Sequence, residues 1–139
     1  MEGLVKTKEK WGSVTAGAGF TIVPNHLLSI NQFVDKEKMI SPTEMFVLMH
    51  ILSAWWSADR LPFPSKATIA KRAGLSSRQV QRALSSLEDK GYLERVARYG
   101  EDKGRRSSNY DITGLVSAVA ALADEHPKLF RGRVSKDTT

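Results

Sequence analysis

The chain has 139 residues, a hydrophobic fraction of 41% and a formal net charge of +6 at pH 7. This length suits one domain with its own core, and no apolar run approaches the roughly 20 residues that span a bilayer. The absence of cysteine excludes disulfides, thiolate metal sites and cysteine nucleophiles. The first residues lack an apolar signal core, so we expect a cytoplasmic protein.

The sequence of the N-terminal part indicates little regular structure. Residues 1–19 are polar, and we interpret them as a flexible arm in which Trp11 is a possible anchor. Residues 20–23 are typical of a short extended piece, because Pro24 follows them directly. The large apolar side chains over 25–33 predict a short helix.

A strong helix start stands at Ser41, which is followed by Pro42 and, three residues on, by Glu44. Serine caps the free backbone N–H groups, proline fits the first turn, and the glutamate completes a capping box. From there to about Trp56 the sequence is apolar almost all round. This pattern predicts a central, buried helix.

Two further helices with a tight turn between them are predicted next. Ser65 caps a short helix over 66–73, and Gly74 makes the turn after it. Ser76 then caps a second helix, in which Gln79 can complete another capping box. A helix, a glycine-bearing turn and a second helix form a helix-turn-helix pattern.

The second helix ends at Gly91 and has one apolar stripe, formed by Val80, Ala83, Leu84 and Leu87. At about 100° per residue, Arg78 and Arg82 project away from this stripe, one turn apart. Such a face can lie in the major groove of DNA, although arginine is also common on solvated helix surfaces. The neighbouring charge favours DNA: residues 60–106 hold twelve basic and five acidic side chains, a net charge of +7, against −1 for the rest.

A hairpin and a last helix complete the pattern. Residues 92–96 have strand character, 99–108 form a glycine- and charge-rich loop, and 109–112 return as a second strand. A hairpin directly after a helix-turn-helix is a wing. Thr113 then caps a helix that ends before Pro127.

The run FPSKATIAKRAGLSSRQVQRALSSLEDKGYLER, residues 63–95, resembles the winged helix-turn-helix of bacterial GntR-type regulators and of phage and plasmid replication proteins. GntR-type regulators usually close the wing with Gly-Thr-Phe, which is absent here. The return strand SNYDITGL and the lead-in FTIVPNHLL are more similar to mobile-element replication proteins. The resemblance covers about 20–116 and implies a mainly α fold with a small β-hairpin, a winged helix-turn-helix that binds duplex DNA.

We therefore assign residues 1–19 to the arm, 20–126 to the winged helix-turn-helix domain with its C-terminal helix, and 127–139 to a basic tail. The resemblance implies that the second helix reads base edges, with Ser76, Ser77, Arg78, Gln79, Gln81 and Arg82 as candidates. An arginine can fork onto guanine O6 and N7. Ser65 and Lys66 suit a phosphate. Lys103, Arg105 and Arg106 are the wing candidates, although Glu101 and Asp102 can pair with the arginines instead.

The sequence gives no sign of an enzyme. His26, His50 and His126 lack metal-ligand spacing, and neither GRRSS nor GAG forms a phosphate-binding loop. We expect no catalytic residue, no metal and no cofactor. The favoured role is transcriptional regulation of a mobile-element or plasmid operon. Binding of a replication origin or partition site is the alternative, and a winged-helix protein-interaction module is an alternative of another class.

A homodimer is predicted, because one recognition helix reads only a few base pairs. The leading interface is the last helix, over 113–125, where Leu115, Val119 and Leu122 form one apolar stripe. The alternatives are that this helix closes its own core, and that the N-terminal segment 11–23 forms the interface.

Overall fold

The computed structural model describes residues 2–99 and 105–130. The elements of these ranges are α1 (Glu2–Trp11), α2 (Ser13–Ala18), α3 (Asn25–Leu28), α4 (Pro42–Ser53), α5 (Lys66–Ala73), α6 (Ser77–Asp89), β1 (Glu94–Tyr99), β2 (Arg105–Asp111) and α7 (Thr113–Glu125). Two 3₁₀ turns, Ile30–Gln32 and Lys36–Lys38, connect α3 to α4. Within these ranges, no helix has the length and apolar character that crossing a membrane requires.

The predicted fold class is confirmed: the chain is a mainly helical winged helix-turn-helix. Helices α4, α5 and α6 pack against one another, and the hairpin follows α6 directly. The two strands are antiparallel, with Arg95 opposite Tyr110 and a register shift between Val96 and Arg98. The backbone N–H of Tyr110 donates to the carbonyl of Pro62 at 2.9 Å, which ties β2 to the connector before α5.

One hydrophobic core joins these elements, and α6 contributes its whole apolar stripe to it, as predicted. Helix α4 is central but not buried all round, because Phe46 is exposed. The largest fully buried side chains are those of Tyr110, Leu27, Ile30, Leu48, Ile51, Ile69, Leu84, Leu87, Val47, Val80 and Pro62.

Capping boxes start α4 and α6, as predicted. Ser41 Oγ accepts from the backbone N–H of Glu44 at 3.1 Å, and Glu44 Oε1 accepts from that of Ser41 at 2.8 Å. The equivalent distances for Ser76 and Gln79 are 3.1 Å and 2.9 Å. Gly74 ends α5 with a φ of 70°, a left-handed conformation that favours glycine.

Glu44 also connects the start of α4 to the end of α6. Its carboxylate is buried and accepts from Lys90 Nζ at 2.7 Å, while the same ammonium donates to the carbonyl of Met39 at 2.6 Å. Burial acts to raise the pKa of Glu44. Hydrogen bonds from Lys90, Ser86 and the backbone of Ser41 outweigh it, so the pKa lies below its ordinary value.

This carboxylate should make folding sensitive to acid. A depressed pKa contributes stability that is present above the ordinary value of 4.5 and is lost as pH falls through the folded-state pKa. We expect Glu44→Gln to lower the free energy of unfolding at neutral pH by about 1–3 kcal/mol and to flatten its decline on acidification. Urea unfolding across the acidic range measures both. Asp89→Asn, which removes an exposed carboxylate, is the control, and equal acid slopes for Glu44→Gln and the parent would contradict the assignment.

Several local predictions differ from the structure. The arm predicted to be flexible contains α1 and α2, and Trp11 does not anchor it, because its side chain is 66% exposed. Tyr99 and residues 105–108, predicted to lie in a loop, belong to β1 and β2 respectively. Thr113 is the first residue of α7 rather than its cap. The carboxylate of Asp111 accepts from the Thr113 backbone N–H at 2.9 Å and from its hydroxyl at 2.6 Å, and so satisfies this end of the helix.

The predicted interface stripe on α7 is wrong as an exposed surface. Leu115 and Leu122 are 3% and 8% exposed within the chain's own core, and Val119 packs against that core. The close approach of α7 depends on Gly114, where a Cβ would overlap the backbone carbonyl oxygen of Gly91. The alternative, that this helix closes its own core, is therefore correct for these three side chains.

Candidate nucleic-acid interface

The outer face of α6 carries the two predicted arginines. Arg78 and Arg82 are both exposed, and neither makes a hydrogen bond or ion pair with the described part of the chain. Like charges one turn apart destabilise a helix by a few tenths of a kcal/mol. A bound polyanion would therefore relieve the repulsion between these two arginines.

The first turn of α6 is committed to its own cap. Each of Ser76 and Gln79 uses a side-chain oxygen in the capping box described above. Ser77 is exposed at the first helical position, where backbone N–H groups lack intrahelical partners. Of these three predicted base contacts, Ser77 has the side chain not engaged in the cap.

A chain of polar side chains connects α5, α6 and β1 along one flank of α6. Lys66 Nζ donates to Gln81 Oε1 at 2.6 Å, and Gln81 Nε2 donates to Ser85 Oγ at 3.3 Å. The same hydroxyl accepts from Arg95 Nη2 at 3.3 Å, and Glu88 Oε1 accepts from Arg95 Nη2 at 2.7 Å. The predicted base contact Gln81 and the predicted phosphate contact Lys66 are thus bonded to each other.

Glu88 holds both the side chain and the backbone of Arg95. Besides the bond to Nη2, its Oε1 accepts from Arg95 Nε at 3.1 Å, and its Oε2 accepts from the Arg95 backbone N–H at 2.9 Å. These bonds hold the pKa of Glu88 below its ordinary value. Sequence reasoning missed this pair. Its available signal was opposite charges on either side of the turn at Gly91.

The remaining predicted contacts lie at the start of α5 and in the wing. Ser65 is the cap of α5: its hydroxyl accepts from the Thr68 backbone N–H at 3.0 Å and donates to Thr68 Oγ1 at 2.8 Å. Arg105 and Arg106 belong to β2, where they pair with Tyr99 and Arg98 respectively. Lys103 and the side chains of both wing arginines lie outside the described residues.

Each of the three histidines contacts another part of the chain through a hydrogen bond to a carbonyl group or through ring stacking. His50 Nδ1 lies 2.9 Å from the carbonyl of Phe46, and His26 Nε2 lies 2.8 Å from that of His126. The ring of His126 stacks on Phe33 with centroids 4.1 Å apart. Across residues 2–99 and 105–130, no group of three or more histidine, aspartate or glutamate side chains is arranged to hold a metal ion.

The fold is a winged helix-turn-helix whose second helix, α6, carries an exposed basic face. Residues 38–93 match the family model described as a helix-turn-helix domain, which spans α4, α5 and α6 and stops before the wing. A solved structure described as the transcriptional regulator PA3341 is 18% identical, with a TM-score of 0.40, over 81% of this chain and 80% of that chain. The search of curated proteins gave no match.

Proposed function

We propose that this protein binds double-stranded DNA sequence-specifically, with α6 in the major groove, and acts as a transcriptional regulator without catalytic activity. The observation that carries this proposal is the exposed Arg78–Arg82 pair, which has no partner among the described residues. A helix that begins with a capping box and presents two guanidinium groups suits bidentate contacts to guanine. The proposed site of action is the cytoplasm, on chromosomal or plasmid DNA.

Contacts to the DNA backbone should make binding depend strongly on salt. If the basic segment neutralises phosphates, log Kd plotted against log salt has a slope of about 0.9 per phosphate contacted. We expect Lys66→Ala to reduce that slope by about 1 and to weaken all duplexes alike. Lys128→Ala, which changes an exposed lysine outside residues 60–106, is the matched control. Fluorescence anisotropy with a selected and a random duplex measures the slope, and a flat salt dependence would contradict duplex binding through phosphates.

The finer part of the proposal is regulation of a mobile-element or plasmid operon. It is supported by the resemblance of the lead-in and return strand to mobile-element proteins. Mapping of bound sites in cells tests it. Sites over promoters are expected, whereas iterated sites at an origin would favour replication or partition.

We further propose that two copies bind DNA together, and that their interface is an apolar surface formed by residues 20–24, the end of α4 and Trp56. Ile22 and Trp56 are 80% and 83% exposed, and Phe20 is also exposed. These three side chains line a cleft of about 440 Å³ with Leu52. Large exposed apolar side chains gathered on one surface are typical of association sites.

Sedimentation of the full chain tests this interface. We expect a dimer at micromolar concentration, a monomer after Ile22→Glu, and a dimer after Val116→Glu. The last variant is the control, because Val116 is an exposed apolar residue on α7, 44% accessible. A parent protein that stays monomeric on its DNA site would contradict the dimer. A dimer that survives Ile22→Glu would contradict this surface.

A further inference from the structure

The base of the wing is fastened to the recognition helix by Glu88 and Arg95. The carboxylate lies in the last turns of α6, and the guanidinium belongs to the second residue of β1. Three hydrogen bonds hold the side chain and the backbone of the strand at once. The pair is partly sheltered from solvent, since the Arg95 and Glu88 side chains are 22% and 32% exposed.

The strand pairing changes directly beyond this attachment. The register shift falls between Val96 and Arg98, one residue beyond Arg95, and the extra residue lies in β2. Such an irregularity bends a strand and increases its local twist. Arg95 lies on the α6 side of this irregularity, where Glu88 holds both its backbone and its side chain.

The same guanidinium group is also linked to the start of α5 through a chain of side-chain hydrogen bonds. Arg95 Nη2 shares the Ser85 hydroxyl with Gln81, and Gln81 accepts from Lys66. The wing, the recognition helix and the first turn of α5 are thus connected by side-chain hydrogen bonds. These are the three places where contacts to DNA are proposed.

We infer that Glu88 and Arg95 are positioning residues: they set the angle between α6 and the wing, so that both can contact one duplex at the same time. The part of this inference that concerns contact with one duplex rests on the proposed function. Neither side chain needs to touch DNA, because each acts through the orientation of the hairpin.

The angle can be measured without DNA. The chain has no cysteine, so spin labels at Ser77→Cys on α6 and Ala97→Cys on β1, both exposed positions, report the distance from helix to wing. We expect a narrow distance distribution in the parent and a broader or displaced one after Glu88→Gln or Arg95→Lys. Glu94→Gln, which removes an exposed carboxylate at the start of the same strand, is the control. Unchanged distributions in both variants, with circular dichroism showing that they fold, would overturn the inference.

Binding measurements test whether the angle between α6 and the wing affects contact with the duplex. Glu88→Gln should weaken binding to the selected duplex by about three- to tenfold, while Glu94→Gln should not weaken it. Hydroxyl-radical footprinting of the Glu88→Gln complex should lose protection beside the major-groove site and retain it within the groove. A broadened distance distribution with parental affinity and footprint would overturn the link between wing angle and DNA contact. If the parent binds no duplex, the proposed function fails and the spin-label result still decides the positioning role.

Discussion

Arg78→Ala and Arg82→Ala should each weaken binding to a selected DNA site by about 1–3 kcal/mol and relax the base preference at one position. The reason is geometric as well as electrostatic. Both guanidinium groups project from a helix whose opposite face is buried in the core. The backbone of each arginine is therefore held in place, while its guanidinium group is exposed. Losing one removes a bidentate contact without disturbing the core.

The control separates base reading from general attraction. Arg72→Ala removes the same charge from the end of α5, where the side chain lines a cleft with Trp56 and Phe63. It should lower affinity for selected and random duplexes by the same small factor. Selection of preferred duplexes by each variant, followed by titration, makes the measurement. Equal losses on selected and random DNA for the α6 variants would remove Arg78 and Arg82 from base readout.

Gly114→Ala should be the most destabilising glycine-to-alanine change among the glycines that the structure describes, at about 3 kcal/mol or more. A Cβ at this position would overlap the carbonyl oxygen of Gly91, which is backbone and cannot rotate away. The backbone N–H of Leu115 donates to the carbonyl of Tyr92 at 3.0 Å, so α7 is held at this contact. Relief of the overlap requires α7 to move outward and to loosen Leu115 and Leu122 in the core.

A glycine in open surroundings provides the matched control. Gly17 lies within α2 with no atom near its added Cβ, so Gly17→Ala should stabilise the protein by up to about 1 kcal/mol through helix propensity. Thermal and urea unfolding compare the two variants. A Gly114→Ala protein with parental stability would mean that α7 is not held closely against the Gly91 turn.

The starts of α4 and α6 follow from short-range chemistry that can be read from the sequence. Ser41 with Glu44 and Ser76 with Gln79 form capping boxes because both partners lie within one turn, whatever surrounds them. The buried stripe of α6 follows in the same way from the helical spacing of its apolar residues. The outward direction of its arginines is therefore also determined by the sequence, through the periodicity of one helix.

Only the tertiary structure decided what covers each face and which polar groups pair. The period of α7 identifies an apolar stripe, but it does not distinguish a partner's surface from the chain's own core, which receives Leu115 and Leu122. The pairing of Lys66 with Gln81 depends on the crossing of two helices. The attachment of Arg95 to Glu88 depends on how the hairpin leaves the turn at Gly91. Periodicity and capping act within one element, whereas these contacts depend on the relative placement of separate elements.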